Sequence, residues 1–252
     1  MKTIIFLLLL VFNSPSVIKL NKIEKRESLN LQGSWELMSQ NGNVVAERRV
    51  RIITNGYFSD AGFDTMDKNF KGASAGTYSI SDNRLEETFL SNTWNSDLVN
   101  TTEVYEVELA GNTLRKVGRK EGKRWMETWK KLEATEKYPL SGAWRISGRM
   151  RDGNFVEMPD RPRKTLKILS ENRFQWIALN SETKEFFGTG GGTYEVKDAK
   201  YTEHIEFFSR DSTRVGISLS FDIELTGDGW HHSGKGSTGN PVDEIWIQVD
   251  KN

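Results

Sequence analysis

Cysteine is absent from all 252 residues. That absence excludes disulfide staples, thiolate metal sites and a lipid-modified cysteine behind an export signal. An excess of one charge is lacking too: 35 basic side chains stand against 35 acidic ones. Nucleic acid and anionic membrane surfaces both draw on a clustered basic excess, so the balance removes the electrostatic case for either partner. Beyond the N-terminus no run is apolar enough to span hydrocarbon, which takes about 20 residues. No segment shows an apolar helical stripe with caps at its ends. What remains is an ordinary globular composition, 11% aromatic and 28% charged, of a length that suits one large domain or two small ones.

The N-terminus reads as an export signal. Lys2 supplies the positive start, Ile4 to Phe12 is apolar, and Ser14 and Ser16 are the small residues that a cut after Ser16 needs. The apolar run is too short for a spanning anchor. The pattern predicts a signal peptide over 1–16, a polar linker over 17–30, and a secreted or periplasmic protein with no integral membrane segment after cleavage. An exported chain without cysteine fits a bacterium better than an animal.

The rest of the chain is one unit written twice. "LQGSWELMS" (Leu31–Ser39) returns as "LSGAWRISG" (Leu140–Gly148), and Phe58–Leu114 aligns without a gap to Phe174–Trp230. In that stretch 14 of 57 positions are identical, which makes the match a duplication rather than chance. Both copies close alike, on "METWKKL" (Met126–Leu132) and "DEIWIQV" (Asp243–Val249). Two copies of this length mean a duplicated domain, not a solenoid. The expected boundaries are 31–134 and 139–252, joined near Thr135–Tyr138.

Within each copy the apolar period is two. In "GISLSFDIEL" Ile217, Leu219, Phe221, Ile223 and Leu225 alternate with polar residues, and in "TEVYEVEL" Tyr105, Val107 and Leu109 do the same. Such strands have one buried and one wet face. Turn signals separate about eight of them per copy. Sequential strands on short turns form an antiparallel meander, which eight strands can close without leaving a free edge. The expected fold is all-β: two consecutive up-and-down barrels.

Gly33-Ser34-Trp35 and Gly142-Ala143-Trp144, each opening the first strand of a meander, resemble the Gly-x-Trp start of the lipocalin and fatty-acid-binding-protein (calycin) superfamily. The closing Glu127-Thr128-Trp129-Lys130 and the repeated Gly-Thr-Tyr are similar to the small lipocalin-like domains of secreted bacterial proteins. The Thr-Asp-Tyr element and the cysteines of typical lipocalins are missing. The resemblance implies a basic residue near each copy's end that covers its first tryptophan. Lys130 or Lys131 fits that role in copy one, whereas copy two offers Ile247 and Gln248.

"EFFGTGGGTYEV" (Glu185–Val196) invites a phosphate-loop reading. No lysine follows the glycines, no helix follows them either, and copy one reads "GASAGTYSI" at the same place. The run therefore marks a bend or a close strand crossing. The glutamates are more pointed. Glu87 and Glu203 are aligned, and alternation sets Glu203 among Tyr201, Ile205 and Phe207. A carboxylate among apolar neighbours must be paired, hydrogen-bonded or protonated. Three roles stay open: an ion pair with an inward Arg49, Arg51, Lys164 or Lys167, a ligand anchor, or an acid/base group.

His231 and His232 are strand neighbours and face opposite ways, so they do not share a metal. No Ser-His-Asp spacing is present. Trp35, Trp129, Trp144 and Trp246 recur and read as core plugs. Trp176 and Trp230 do not recur, and they lie near the Ser233–Pro241 loop, the expected ligand mouth. The candidate ligand-binding residues are Glu203, Tyr194, Trp176, Trp230, His231, Glu87 and Tyr78, with no catalytic residue, metal or cofactor. The expected function is an exported, non-enzymatic binding protein with a small, largely apolar ligand in at least one barrel. The alternatives are an interaction module with filled barrels, bound to a protein or glycan, and a barrel isomerase or cyclase that uses Glu203.

Overall fold

The structure, a computed structural model, describes residues 29–120, 122–134, 139–227 and 229–249. The expected signal peptide, the joint at Thr135–Tyr138 and all but the last two residues of the expected linker lie outside the described residues. The first sheet contains β1 (Gly33–Gln40), β2 (Asn43–Val44), β3 (Arg48–Thr54), β4 (Tyr57–Phe63), β5 (Phe70–Ser81), β6 (Arg84–Asn92), β7 (Thr102–Ala110), β8 (Thr113–Lys120) and β9 (Lys123–Lys131). The second contains β10 (Gly142–Arg151), β11 (Asn154–Glu157), β12 (Arg163–Ser170), β13 (Arg173–Asn180), β14 (Phe186–Lys197), β15 (Lys200–Phe208), β16 (Ser218–Leu225), β17 (Gly229–Lys235) and β18 (Pro241–Gln248).

Each sheet is an antiparallel meander closed on itself. β1 pairs with both β3 and β9, and β10 with both β12 and β18, so eight strands form each barrel. β2 and β11 are short spurs folded back on the first strand. Local chemistry sets the meander: Asn55-Gly56 takes positive φ (34° and 83°) and joins β3 to β4 as a two-residue hairpin, the pairing such turns favour.

Apolar residues fill each barrel from matching places. Trp35 Nε1 donates to Leu31 O at 3.0 Å, and Trp144 Nε1 to Leu140 O at 2.9 Å. The two Gly-x-Trp starts thus fold each chain entry over its own barrel end. Lys131 Nζ lies 5.7 Å from the Trp35 ring, and the Gln248 amide lies beside Gly142 and Trp144.

The period-two pattern holds where the outer face meets water and fails elsewhere. β6 and β15 alternate along their lengths, whereas every residue of β4 is buried. The other side of β4 is covered by the second barrel. Ile52, Tyr57 and Ala75 pack with Ala143, Leu166, Ile168, Ile177 and Leu179. Phe63 stacks on Phe207 at 5.1 Å, and Phe70 on Phe186 at 6.3 Å. Phe70 and Phe186 are aligned residues of the repeat, as are β3 and β12, which pack together. Equivalent faces thus meet equivalent faces, as a two-fold relation requires. Leu225, expected on the buried face of β16, is 55% exposed because it ends the strand beyond the core.

A second departure lies in β15. Its pairing with β14 shifts between Gly191 and Gly192, which makes Glu206 an extra residue. A bulge reverses the faces beyond it. Phe207, expected beside Glu203, turns outward onto Phe63, and Phe208 turns into the barrel. β6 carries the matching bulge at Leu90.

Candidate functional site

The two lumens start from one plan. Arg51 and Lys167 occupy the same place on β3 and β12, and each meets the aligned glutamate. Arg51 Nη1 donates to Glu87 Oε1 at 2.8 Å, and Lys167 Nζ to Glu203 Oε1 at 2.8 Å. All four side chains are at most 6% exposed. Of the three roles open to Glu87 and Glu203, the geometry gives both an ion pair.

Around that shared pair the first lumen is packed with charge. Asp60 takes a two-pronged contact from Arg51, at 2.6 and 2.8 Å, and accepts from Ser74 Oγ at 3.0 Å. Lys116 Nζ donates to Glu87 Oε2 at 2.6 Å and sits 3.8 Å from the centre of the Tyr105 ring. Burial opposes the Arg51 charge, but Asp60 and Glu87 overcome it and hold the guanidinium firmly protonated. Burial also opposes the Asp60 carboxylate, and Arg51 brings its pKa below the usual 3.8. Beyond this network the Trp94 indole lies 4.3 Å from the Arg49 guanidinium and against Gly72.

The second lumen replaces those fillers. By the repeat alignment Asp60 becomes Trp176, Lys116 becomes His232, Asn92 becomes Phe208, Arg49 becomes Thr165 and Trp94 becomes Arg210. Lys167 now sits in an aromatic setting, 4.9 to 5.3 Å from the ring centres of Trp246, Tyr201 and Trp230. Glu203 accepts a second bond from Tyr201 Oη at 2.9 Å. Burial raises the Tyr201 pKa and the Glu203 charge raises it further, so the phenol keeps its proton. His232 stacks on Phe221 at 4.7 Å. Its Nε2 lies 3.4 Å from both Glu244 Oε2 and Trp246 Nε1, while its Nδ1 is buried with no partner among the described residues.

What results is a cavity of about 420 Å³. Trp176, Ile205, Phe208, Leu219, Phe221 and Val242 form its apolar wall, and Lys167, Glu203, His232 and Glu244 are its polar groups. Its rim is Asp211 and Arg214, from the single 3-10 turn after β15, and Gly236 to Thr238, from the β17–β18 turn. Arg214 donates to Ser237 O, tying the two sides of the mouth together.

Of the sequence candidates, Glu203 and Trp176 line this cavity. Tyr194 and Trp230 are buried in the core behind it, where Tyr201 packs on both rings. His231 points outward, with Nε2 2.5 Å from Asp243 Oδ1. Alternation places His232 inside instead. Glu87 belongs to the first lumen, and Tyr78, opposite it across the strands, packs against the first barrel's core and borders a separate groove of about 520 Å³. The reasoning from sequence missed His232, Phe208, Phe221, Val242 and Glu244. His232 was within reach, because it aligns with the inward Lys116.

The glycine run also finds its cause here. A Cβ on Gly192 would meet His204 O at 2.0 Å, and one on the aligned Gly76 would meet Thr88 O at 2.0 Å. These glycines are shared because the bulge brings the neighbouring backbone too close for any side chain. Gly190 and Gly191 are peculiar to copy two. Their Cβ atoms would strike Trp176 and Phe208, and Phe207 and the Phe174 carbonyl, respectively. Copy one has Ser74 and Ala75 there, with Asp60, Asn92 and Ser91 in place of the rings. Gly190 thus makes room for Trp176 and Phe208 of the cavity wall, and Gly191 for Phe207 on the outer face.

Residues 139–252, the second barrel, match the model of a family described only as a domain of unknown function, DUF4488. No curated protein matches the chain. Among solved structures, the crystal structure of the uncharacterized protein YLR301w from Saccharomyces cerevisiae aligns with a TM-score of 0.47 at 11% identity, covering 86% of this chain and 97% of that one.

Proposed function

We propose that this is an exported, non-enzymatic binding protein of the lipocalin-like kind, in which the second barrel holds a small, largely apolar ligand. The observation behind this reading is the cavity of about 420 Å³ among Trp176, Phe208, Phe221 and Val242. Ligand sites typically run from about 300 to 1,000 Å³, with apolar walls and a few placed polar groups. The Nδ1 of His232, without a partner among the described residues, is one such group, since a buried polar atom left unpaired costs about 1–3 kcal/mol. Glu203 is held by Lys167 and Tyr201, which suits an anchor better than a proton shuttle.

Native mass spectrometry of protein purified from its own source tests this reading. A co-purifying mass lost on denaturation is expected. An empty spectrum, together with no uptake of apolar fluorescent probes, would sink the proposal. A second reading is favoured for the first barrel alone. Its lumen is occupied by Arg51, Asp60, Glu87 and Lys116, so any partner of that half, protein or glycan, meets its outer surface.

A further inference from the structure

The formal charge balance of the whole chain hides a local excess. Where β10 and β12 diverge beyond the Arg145–Leu166 pair, a pocket of about 430 Å³ opens on the rim of the second barrel. Arg145, Arg149, Arg161, Arg163, Lys164 and Arg210 line it, and Asp160 is the only acidic lining residue. Asp160 is taken by Lys164 at 2.7 Å, and Arg149 is taken by Glu244 at 3.0 Å. The other four guanidiniums have no carboxylate within reach among the described residues. Three of them are nonetheless held in place. Arg163 lies 4.4 Å from the centre of the Phe187 ring, Arg210 Nε donates to Phe187 O at 2.5 Å, and Arg145 Nη1 donates to the Ile146 and Met158 carbonyls at 3.4 Å.

The first barrel is the internal control. Arg145 and Arg163 align with Glu36 and Glu47, which there accept salt bridges from Arg48 at 3.4 Å and Arg49 at 2.8 Å. Two acids that neutralise their strand neighbours in copy one have thus become two arginines in copy two. Like charges gathered without a counter-charge destabilise a fold unless something anionic joins them. Arginine forks fixed by stacking and by carbonyls are the usual receptors for planar carboxylates and for phosphates.

We propose that this rim pocket binds a small organic anion with two or more negative oxygens, of the phosphate-monoester or polycarboxylate kind. Ile146, Met158, Pro159 and Phe187 would contact its carbon skeleton. The pocket is separate from the lumen except at Arg210, which lines both, so the proposal stands whether or not the lumen holds a ligand.

The test is calorimetric titration of the full chain at low salt with phenyl phosphate, with citrate, and with uncharged phenol. Saturable binding of at least one of the anions and none of phenol is expected. Arg163→Glu, which restores the copy-one residue, should weaken that binding at least about tenfold. Arg115→Glu, an exposed change on the first barrel, should leave it unchanged. Circular dichroism checks each fold, and Arg163→Gln replaces the glutamate variant if it unfolds. No binding of either anion at millimolar concentration would overturn the proposal. So would equal affinity in the Arg163 variant, or an equal loss in the Arg115 variant.

Discussion

One duplicated sequence has produced two lumens, one filled with charge and one left open. Both keep the inward cation on the second strand of the barrel (β3 and β12) in its pair with the inward glutamate, Arg51 with Glu87 and Lys167 with Glu203. The first barrel then adds Asp60 and Lys116 and becomes a closed buried network. The second replaces them by Trp176 and His232 and holds a cavity. The comparison separates what the fold needs from what a ligand site needs. The shared pair sits at one place in both barrels and belongs to the architecture. The residues that differ around it are the ones that open the space.

The largest expected effect comes from removing the shared cation. Arg51→Met leaves Asp60 without its two-pronged partner and Glu87 with Lys116 as its remaining bonded cation among the described residues. Breaking a buried network in this way costs about 3–5 kcal/mol, a large share of ordinary stability. Lys167→Met should cost less, about 1–3 kcal/mol, because Glu203 keeps the Tyr201 hydroxyl and borders a cavity that water can enter. Urea unfolding followed by tryptophan fluorescence measures both. Equal costs would show that the two lumens are energetically alike despite their different fillers.

The duplication, the period-two strands and the barrel class were all legible in the sequence, because repeated short motifs and alternation are local signals. The aligned glutamates were legible too, and both Arg51 and Lys167 stood among the four basic residues proposed as partners. Two things were out of reach for physical reasons. Bulges at Leu90 and Glu206 reverse the faces beyond them, and an inserted ladder residue leaves no trace in hydropathy, so Phe207 and Phe208 were assigned the wrong sides. The packing of one barrel on the other buries the outer faces of β4 and β12, which alternation alone would have set in water. His231 stood among the ligand candidates and His232 did not, although the strand period sets His232 on the face of Trp230.

Converting one lumen into the other is the next test. Trp176→Asp with His232→Lys places an acid and a base where the first barrel has Asp60 and Lys116. The fold should survive, since its sister barrel accommodates the same arrangement, and the co-purifying ligand should bind at least about 30-fold more weakly, roughly 2 kcal/mol. Ligand displacement titration reads the change. Unchanged affinity in a correctly folded variant would move the ligand out of this cavity.

A smaller effect is expected along the glycine run. Gly191→Ala would set a methyl 2.7 Å from the Phe207 ring and 2.4 Å from the Phe174 carbonyl, and overpacking of this kind costs about 1–3 kcal/mol. The reverse change in the first barrel, Ala75→Gly, loses only about 0.5–1 kcal/mol, because Ala75 faces Ser91 across the strands. Thermal unfolding of the two variants measures the asymmetry. Equal costs would mean that the backbone, and not the Phe207 ring, requires the glycine.

The gentlest probe is pH, and it should split the barrels by the window in which each weakens. Burial pushes the His232 pKa below its ordinary 6.5; the Glu244 hydrogen bond opposes the shift, and the Lys167 charge adds to it. The ring is faced by Phe221, Trp230 and Trp246, with Lys167, Glu203 and Glu244 as the charged groups around it. Below pH 6.5 the unfolded chain takes up a proton that the native ring refuses, so native stability falls as the pH drops toward the lowered value. One group cannot exceed a slope of about 1.4 kcal/mol per pH unit. Asp60 acts in the same sense but in a lower window: its carboxyl is held below 3.8 by Arg51, so its contribution is intact above 3.8 and is lost as the pH falls below that toward the native value. The first barrel has no histidine, and Lys116 stands at the place of His232. Hydrogen exchange between pH 7 and pH 5 should therefore show protection falling in β17 while β8 holds, after correction for the intrinsic exchange rate. His232→Gln should remove that difference, and a difference that survives the substitution would assign the pH response to another group.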